Sequence, residues 1–95
     1  VIDPAHLFAR ATFDLLMVVH DRQLPAPMSL HWLGHELHVQ VQPANYLRYL
    51  DALVDVDRAV TRRDGRAHYR ATGALRGATD TRIRLVSVVL EAVAA

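Results

Sequence analysis

Two dipeptides constrain this chain more than any other feature in it. Asp64-Gly65 stands between runs that alternate apolar and polar residues. Such a pair favours the type I′ turn of a two-residue β-hairpin, because both central residues must take positive φ. That turn sets a register: Arg63 opposite Arg66, Arg62 opposite Ala67, Thr61 opposite His68, Val60 opposite Tyr69, Ala59 opposite Arg70. Val60, Ala67, Tyr69 and Ala71 then share one face, and Thr61, Arg63, Arg66, His68 and Arg70 the other. Gly34-His35 acts similarly upstream, with glycine first as in a type II′ turn. It sets Leu33 opposite Glu36, Trp32 opposite Leu37, His31 opposite His38 and Leu30 opposite Val39. The apolar partners from Trp32 outward fall on one face, so turn chemistry and hydrophobic pattern agree on one pairing.

The rest of the chain supplies helices and one more strand. Asp3-Pro4 is a helix start, with aspartate as N-cap and proline in the first turn. Leu7, Ala11, Leu15 and Val18 recur at helical spacing, with Phe8, Leu16 and Val19 widening the stripe, and predict a helix over Pro4–Asp21. Pro25 and Pro27 end it. Tyr46, Leu47, Leu50, Leu53 and Val54 predict a second helix to about Val56, with Tyr49, Arg48 and Gln42 on its open side. After a loop at 76–80, Ile83, Leu85 and Ser87 alternate with Arg82 and Arg84 in a last strand. Residues 88–95 fit strand or helix equally. The expected fold is a single α+β domain over 1–95, in the order helix, β-hairpin, helix, three-stranded antiparallel meander. An antiparallel sheet of about five strands with two helices on one face packs those elements most economically.

Composition narrows the function classes. The absence of cysteine excludes disulfides, thiolate nucleophiles and cysteine-bound zinc. No apolar run approaches the roughly 18 residues of a membrane span. Val1-Ile2-Asp3-Pro4 lacks the basic-then-apolar pattern of a signal peptide, so a cytoplasmic protein is expected. All eleven basic residues are arginine, which with fourteen alanines suits a GC-rich bacterial genome. Neither Ser29 nor Ser87 lies in a nucleophile elbow, and no glycine-rich phosphate loop exists. A non-enzymatic chain without a cofactor is therefore expected.

The net charge of +1 conceals a strong asymmetry. Residues 1–57 hold three arginines against seven acidic residues, a net −4; residues 58–84 hold eight arginines against two aspartates, a net +6. Glu91 supplies the remaining −1. Arg63, Arg66, His68, Arg70, Arg82 and Arg84 are thus candidates for binding nucleic acid or an acidic protein, since guanidinium forks match phosphate and carboxylate. No aromatic residue joins them to stack bases.

A second surface is apolar. Val86, Val88 and Leu90 make the last strand hydrophobic on both faces, which suits a two-fold dimer that buries the strand. The leading expectation is a small interaction or regulatory module that self-associates as a homodimer. Nucleic-acid binding through the arginine-rich meander is the alternative. A lesser one is a metal site. His31 and His38 lie directly opposite, with Cβ atoms about 5 Å apart, and Glu36 or another histidine is needed to complete a zinc shell.

Overall fold

The computed structural model describes residues 3–90. Helix α1 (Pro4–Asp21) begins where Asp3 accepts a hydrogen bond from the Ala5 amide through its carboxylate. Strands β1 (Ser29–Leu33) and β2 (Glu36–Gln40) form the first hairpin, paired as the turn predicts, from Leu33 opposite Glu36 to Ser29 opposite Gln40. A 3-10 turn at Pro43–Asn45 leads into the short helix α2 (Tyr46–Leu50). Strands β3 (Leu53–Arg63), β4 (Arg66–Leu75) and β5 (Ala78–Leu90) follow as a meander. Asp64 and Gly65 take φ of 54° and 73°, as a type I′ turn demands, and Arg63 faces Arg66 across it.

The strands lie in the order β1-β2-β5-β4-β3. The expectation of a purely antiparallel sheet fails at one seam: β2 runs parallel to β5, with Leu37 opposite Ile83 and Val39 opposite Leu85. The sheet is mixed because β2 and β3 point the same way. Joining them requires a crossover of about a dozen residues, and residues 41–52, with α2, make it. The meander then returns β5 to the free edge of β2.

Helix two is also shorter than its apolar spacing predicts. Residues 53–56 belong to β3, not to a helix, and Leu53 pairs with Leu75 and Val54 with Ala74. Val54 and Val56 alternate with Asp55 and Asp57, so the segment carries both periodicities, and pairing with β4 decides between them. A bulge follows between Val54 and Asp57, with Asp55 at φ 54°. Gly73 sits against this bulge; a Cβ there would lie 2.8 Å from the Val54 carbonyl oxygen. The faces of α2 also differ from the expectation: Tyr49 is buried and donates its hydroxyl to the Pro25 carbonyl, whereas Leu47 is exposed.

The core lies between the sheet and both helices, which pack on the same face. Ala11 and Leu15 of α1 and Tyr46 and Tyr49 of α2 meet Leu37, Val39, Ala71, Leu75, Ile83 and Leu85 of the sheet. Burying side chains of this kind contributes about 1.5–3 kcal/mol for each large aliphatic. Leu16, expected to widen the core stripe of α1, is instead exposed. Strand structure continues through Leu90, which settles residues 88–90 as strand; residues 91–95 lie outside the described part. Among the described residues, no helix is long and apolar enough to cross a membrane.

Candidate functional site

The face of the sheet turned away from the helices is built by alternation. Odd-numbered residues of β4 and β5 point into the core: Ala67, Ala71, Ile83, Leu85 and Ser87 are all buried. Even-numbered residues therefore form the opposite, open face. Their registers stack into rows across five strands. One row reads His31, His38, Arg84, Thr72, Asp57; the next reads Ser29, Gln40, Val86, Arg70, Ala59. Toward the Asp64-Gly65 turn come Val88, His68 and Thr61, then Leu90, Arg66 and Arg63. Arg82 lies at the other end, opposite Ala74.

All six arginine-face candidates, both histidines of the metal candidate and the apolar triad of β5 thus share this one face. The arginines divide by contact into two sets. Away from the face they tie elements together. Arg10 pairs with Asp80 at 3.2 Å and Arg22 with Asp51 at 3.1 Å. Arg48 donates to the Gln23 carbonyl, and Arg76 to those of Asp51 and Leu53. On the open face, Arg66, Arg70 and Arg82 are exposed, and none contacts Asp51, Asp55 or Asp57. Arg70 donates to the Thr61 hydroxyl at 2.7 Å, which holds its guanidinium over β3. Among the described residues, the one carboxylate that Arg63 approaches is that of its neighbour Asp64, at 3.8 Å and largely in solvent. Among the described residues, the carboxylates of Glu36 and Asp57 lie in the same rows of this face as its five guanidiniums or beside them.

Arg84 differs from the others. Its guanidinium reaches Glu36 of β2 at 3.2 Å, and the Glu36 side chain is only 14% exposed. This pair spans the parallel seam, and no local sequence signal links its members. The buried Nε of Arg84 has no hydrogen-bond partner. A shallow hollow of about 360 Å³ opens beside it, with Arg70, Thr72 and Asp57 in its wall. A second hollow, about 210 Å³, is formed by Thr61, Arg63, His68 and Arg70.

The histidine pair has its rings 5.1 Å apart between centroids. Burial, then the neighbouring charges of His31 and Arg84, hold the His38 imidazole below its ordinary value, against a smaller opposing effect of Glu36. Glu36, the sequence candidate for a third ligand, is committed to Arg84. Among the described residues, no group of three histidine, cysteine or carboxylate side chains converges on a point where an ion would sit.

The apolar triad does not form a sheet edge along its whole length. β5 is an interior strand as far as Val86, opposite Gln40. Only Ser87–Leu90 extend past the end of β2, paired on the β4 side alone. The Val86 carbonyl accepts from the Val41 amide at 3.0 Å. By the two-residue alternation of a strand, the backbone groups of Val88 and Leu90 therefore point to the same, open side. Their cross-strand neighbours on β4 are His68 and Arg66.

No family model matches the chain, and no curated protein matches it in sequence.

Proposed function

We propose that this chain is a small, non-enzymatic interaction module whose open sheet face binds the phosphodiester backbone of duplex nucleic acid. One observation carries the reading: Arg63, Arg66, Arg70 and Arg82 project from a single helix-free face and, among the described residues, have no acidic partner beyond the solvated Asp64. Guanidiniums so placed neutralise phosphates through paired donors, a contact that positions a protein without reading base sequence. Among the described residues the face carries no phenylalanine, tyrosine or tryptophan, which favours the backbone of a duplex over stacked single-stranded bases. Binding is measured by fluorescence anisotropy with a labelled random-sequence duplex. Arg66→Ala with Arg70→Ala is expected to weaken it, and unchanged binding would assign the contact to another surface.

Self-association is the second reading, and the free stretch of β5 favours it. Val88 and Leu90 have their backbone groups at an edge, and among the described residues Ser87–Leu90 carry no charge, proline or bulge to block it. A four-residue ladder contributes only about 0.5–1.5 kcal/mol per hydrogen bond. Association itself costs about 4–15 kcal/mol. Stacking two open faces would also oppose one column of arginines to another. A dimer of this chain therefore needs a further surface.

A further inference from the structure

We propose that the outer face of α1 is a self-association surface, on which a second copy of this chain packs its own α1 antiparallel. Helix α1 buries Ala11 and Leu15 against the sheet, yet its opposite side carries Phe13, Leu16 and Met17 at 63%, 47% and 45% exposure. Helical spacing joins Ala9, Phe13, Leu16 and His20 into one stripe, with Met17 beside it. Three large apolar side chains set together on one helix form a contiguous patch, unlike the scattered exposure of an ordinary surface. An open groove at the end of the helix adjoins the patch, lined by Leu16, Val19 and Leu24 with the polar His20, Asp21 and Gln23.

Charge selects the occupant. Arg10 and Asp21 flank the stripe on the same side, one near each end of the helix. When two helices pack antiparallel about a two-fold axis, like flanks meet, and the same patch serves both copies. With the axis near residue 15, Phe13 of one copy lies against Met17 of the second, a ring-to-thioether contact. Arg10 then comes level with the second copy's Asp21, and the reciprocal pair forms by symmetry. A parallel arrangement would bring the Arg10 and Asp21 flank onto the Thr12 and Val19 flank and form no ion pair between the copies. Among the described residues Asp21 has no ion-pair partner. Arg10 holds Asp80 through one terminal nitrogen in an exposed pair, so its remaining donors are available to a second carboxylate.

The test is sedimentation of the full chain across micromolar to millimolar concentrations. A concentration-dependent monomer–dimer equilibrium is expected. Met17→Glu, at an exposed position, is expected to give a monomer with an unchanged circular dichroism spectrum. Asp21→Arg is expected to weaken the dimer by about tenfold, the effect of losing two rim ion pairs at once. Arg10→Asp combined with Asp21→Arg is expected to restore it. A monomer at every concentration overturns the proposal, as does a dimer that survives Met17→Glu and is lost in Val88→Arg. Failure of the charge swap to restore association overturns the antiparallel arrangement.

Discussion

Replacing Arg66 and Arg70 by alanine should change how binding responds to salt as well as how tight it is. The open face carries five arginines, but Arg84 is already neutralised by Glu36 at 3.2 Å. Arg63, Arg66, Arg70 and Arg82 remain, since the Arg63–Asp64 approach is long and its side chains are 83% and 90% exposed. Each phosphate neutralised on a duplex steepens the dependence of log K on log salt by about 0.9, so four contacts give a slope of about −3.6. Between about 50 and 200 mM salt the wild-type affinity should then fall about 150-fold. Without Arg66 and Arg70 the slope should be about −1.8 and the loss about twelvefold over the same range. Both side chains are exposed, so the double replacement should leave stability within about 0.5 kcal/mol per site. Anisotropy titrations at several salt concentrations, on wild type and variant, give both slopes. Parallel lines with different intercepts would refute the reasoning, because the two arginines would then act other than by displacing counterions. A flat wild-type line would refute the phosphate reading altogether.

Two further predictions concern stability. Gly73→Ala places a methyl group 2.8 Å from the Val54 carbonyl oxygen, against backbone that the bulge already commits. A loss of about 1–3 kcal/mol is expected, and each kcal/mol lowers the melting temperature of a domain this size by about 4–8 °C; an unchanged melt would show that the bulge yields freely. His38 is held below its ordinary value of 6.5 by burial and by the charges of His31 and Arg84, with Glu36 opposing. The unfolded chain therefore takes up a proton more readily than the folded one. The stability that neutral His38 confers is present above about pH 6.5 and lost as pH falls through the lower folded value. Melting temperature should drop between about pH 7 and about pH 5, and His38→Gln should lessen that drop; an equal drop in the variant would place the titrating group elsewhere.

The parts of this fold legible in the sequence were those written locally. Asp64-Gly65 and Gly34-His35 each specify a turn within four residues, and the flanking alternation does the rest, so both hairpin registers could be read directly. The parallel seam between β2 and β5 had no such sign. It depends on residues such as Val39 and Leu85, brought together only when both apolar faces are buried under α1. The open face was legible for β3, β4 and β5. Its extension to His38 and Glu36, and the Glu36–Arg84 pair, exist only through that seam. The outer stripe of α1 was legible in principle. Phe13 is two residues from both Ala11 and Leu15, a rotation of about 200°, so it cannot share their face. Because Leu16 and Val19 also suit a wide core stripe, the apolar residues of the helix read as one face when there are two.

The two proposed surfaces lie on opposite sides of the molecule, which has a testable consequence. α1 covers one face of the sheet and turns Phe13, Leu16 and Met17 further outward on that side, while the arginines project from the other. Packing α1 against α1 therefore joins two copies back to back, with their basic faces pointing in opposite directions. A single straight duplex cannot touch both faces, so dimerisation adds no contacts to it and should leave the affinity for a short duplex unchanged. Met17→Glu should then bind a short duplex as wild type does, with the same salt slope. The difference should appear when duplexes are in excess: the wild-type dimer holds two of them, and the Met17→Glu monomer holds one. Mixing duplexes that carry donor and acceptor dyes separates the cases, since energy transfer between them requires a bridging dimer. Transfer that persists in Met17→Glu would show that bridging does not use α1. Weaker binding of a short duplex by that variant would show that the two surfaces are not independent.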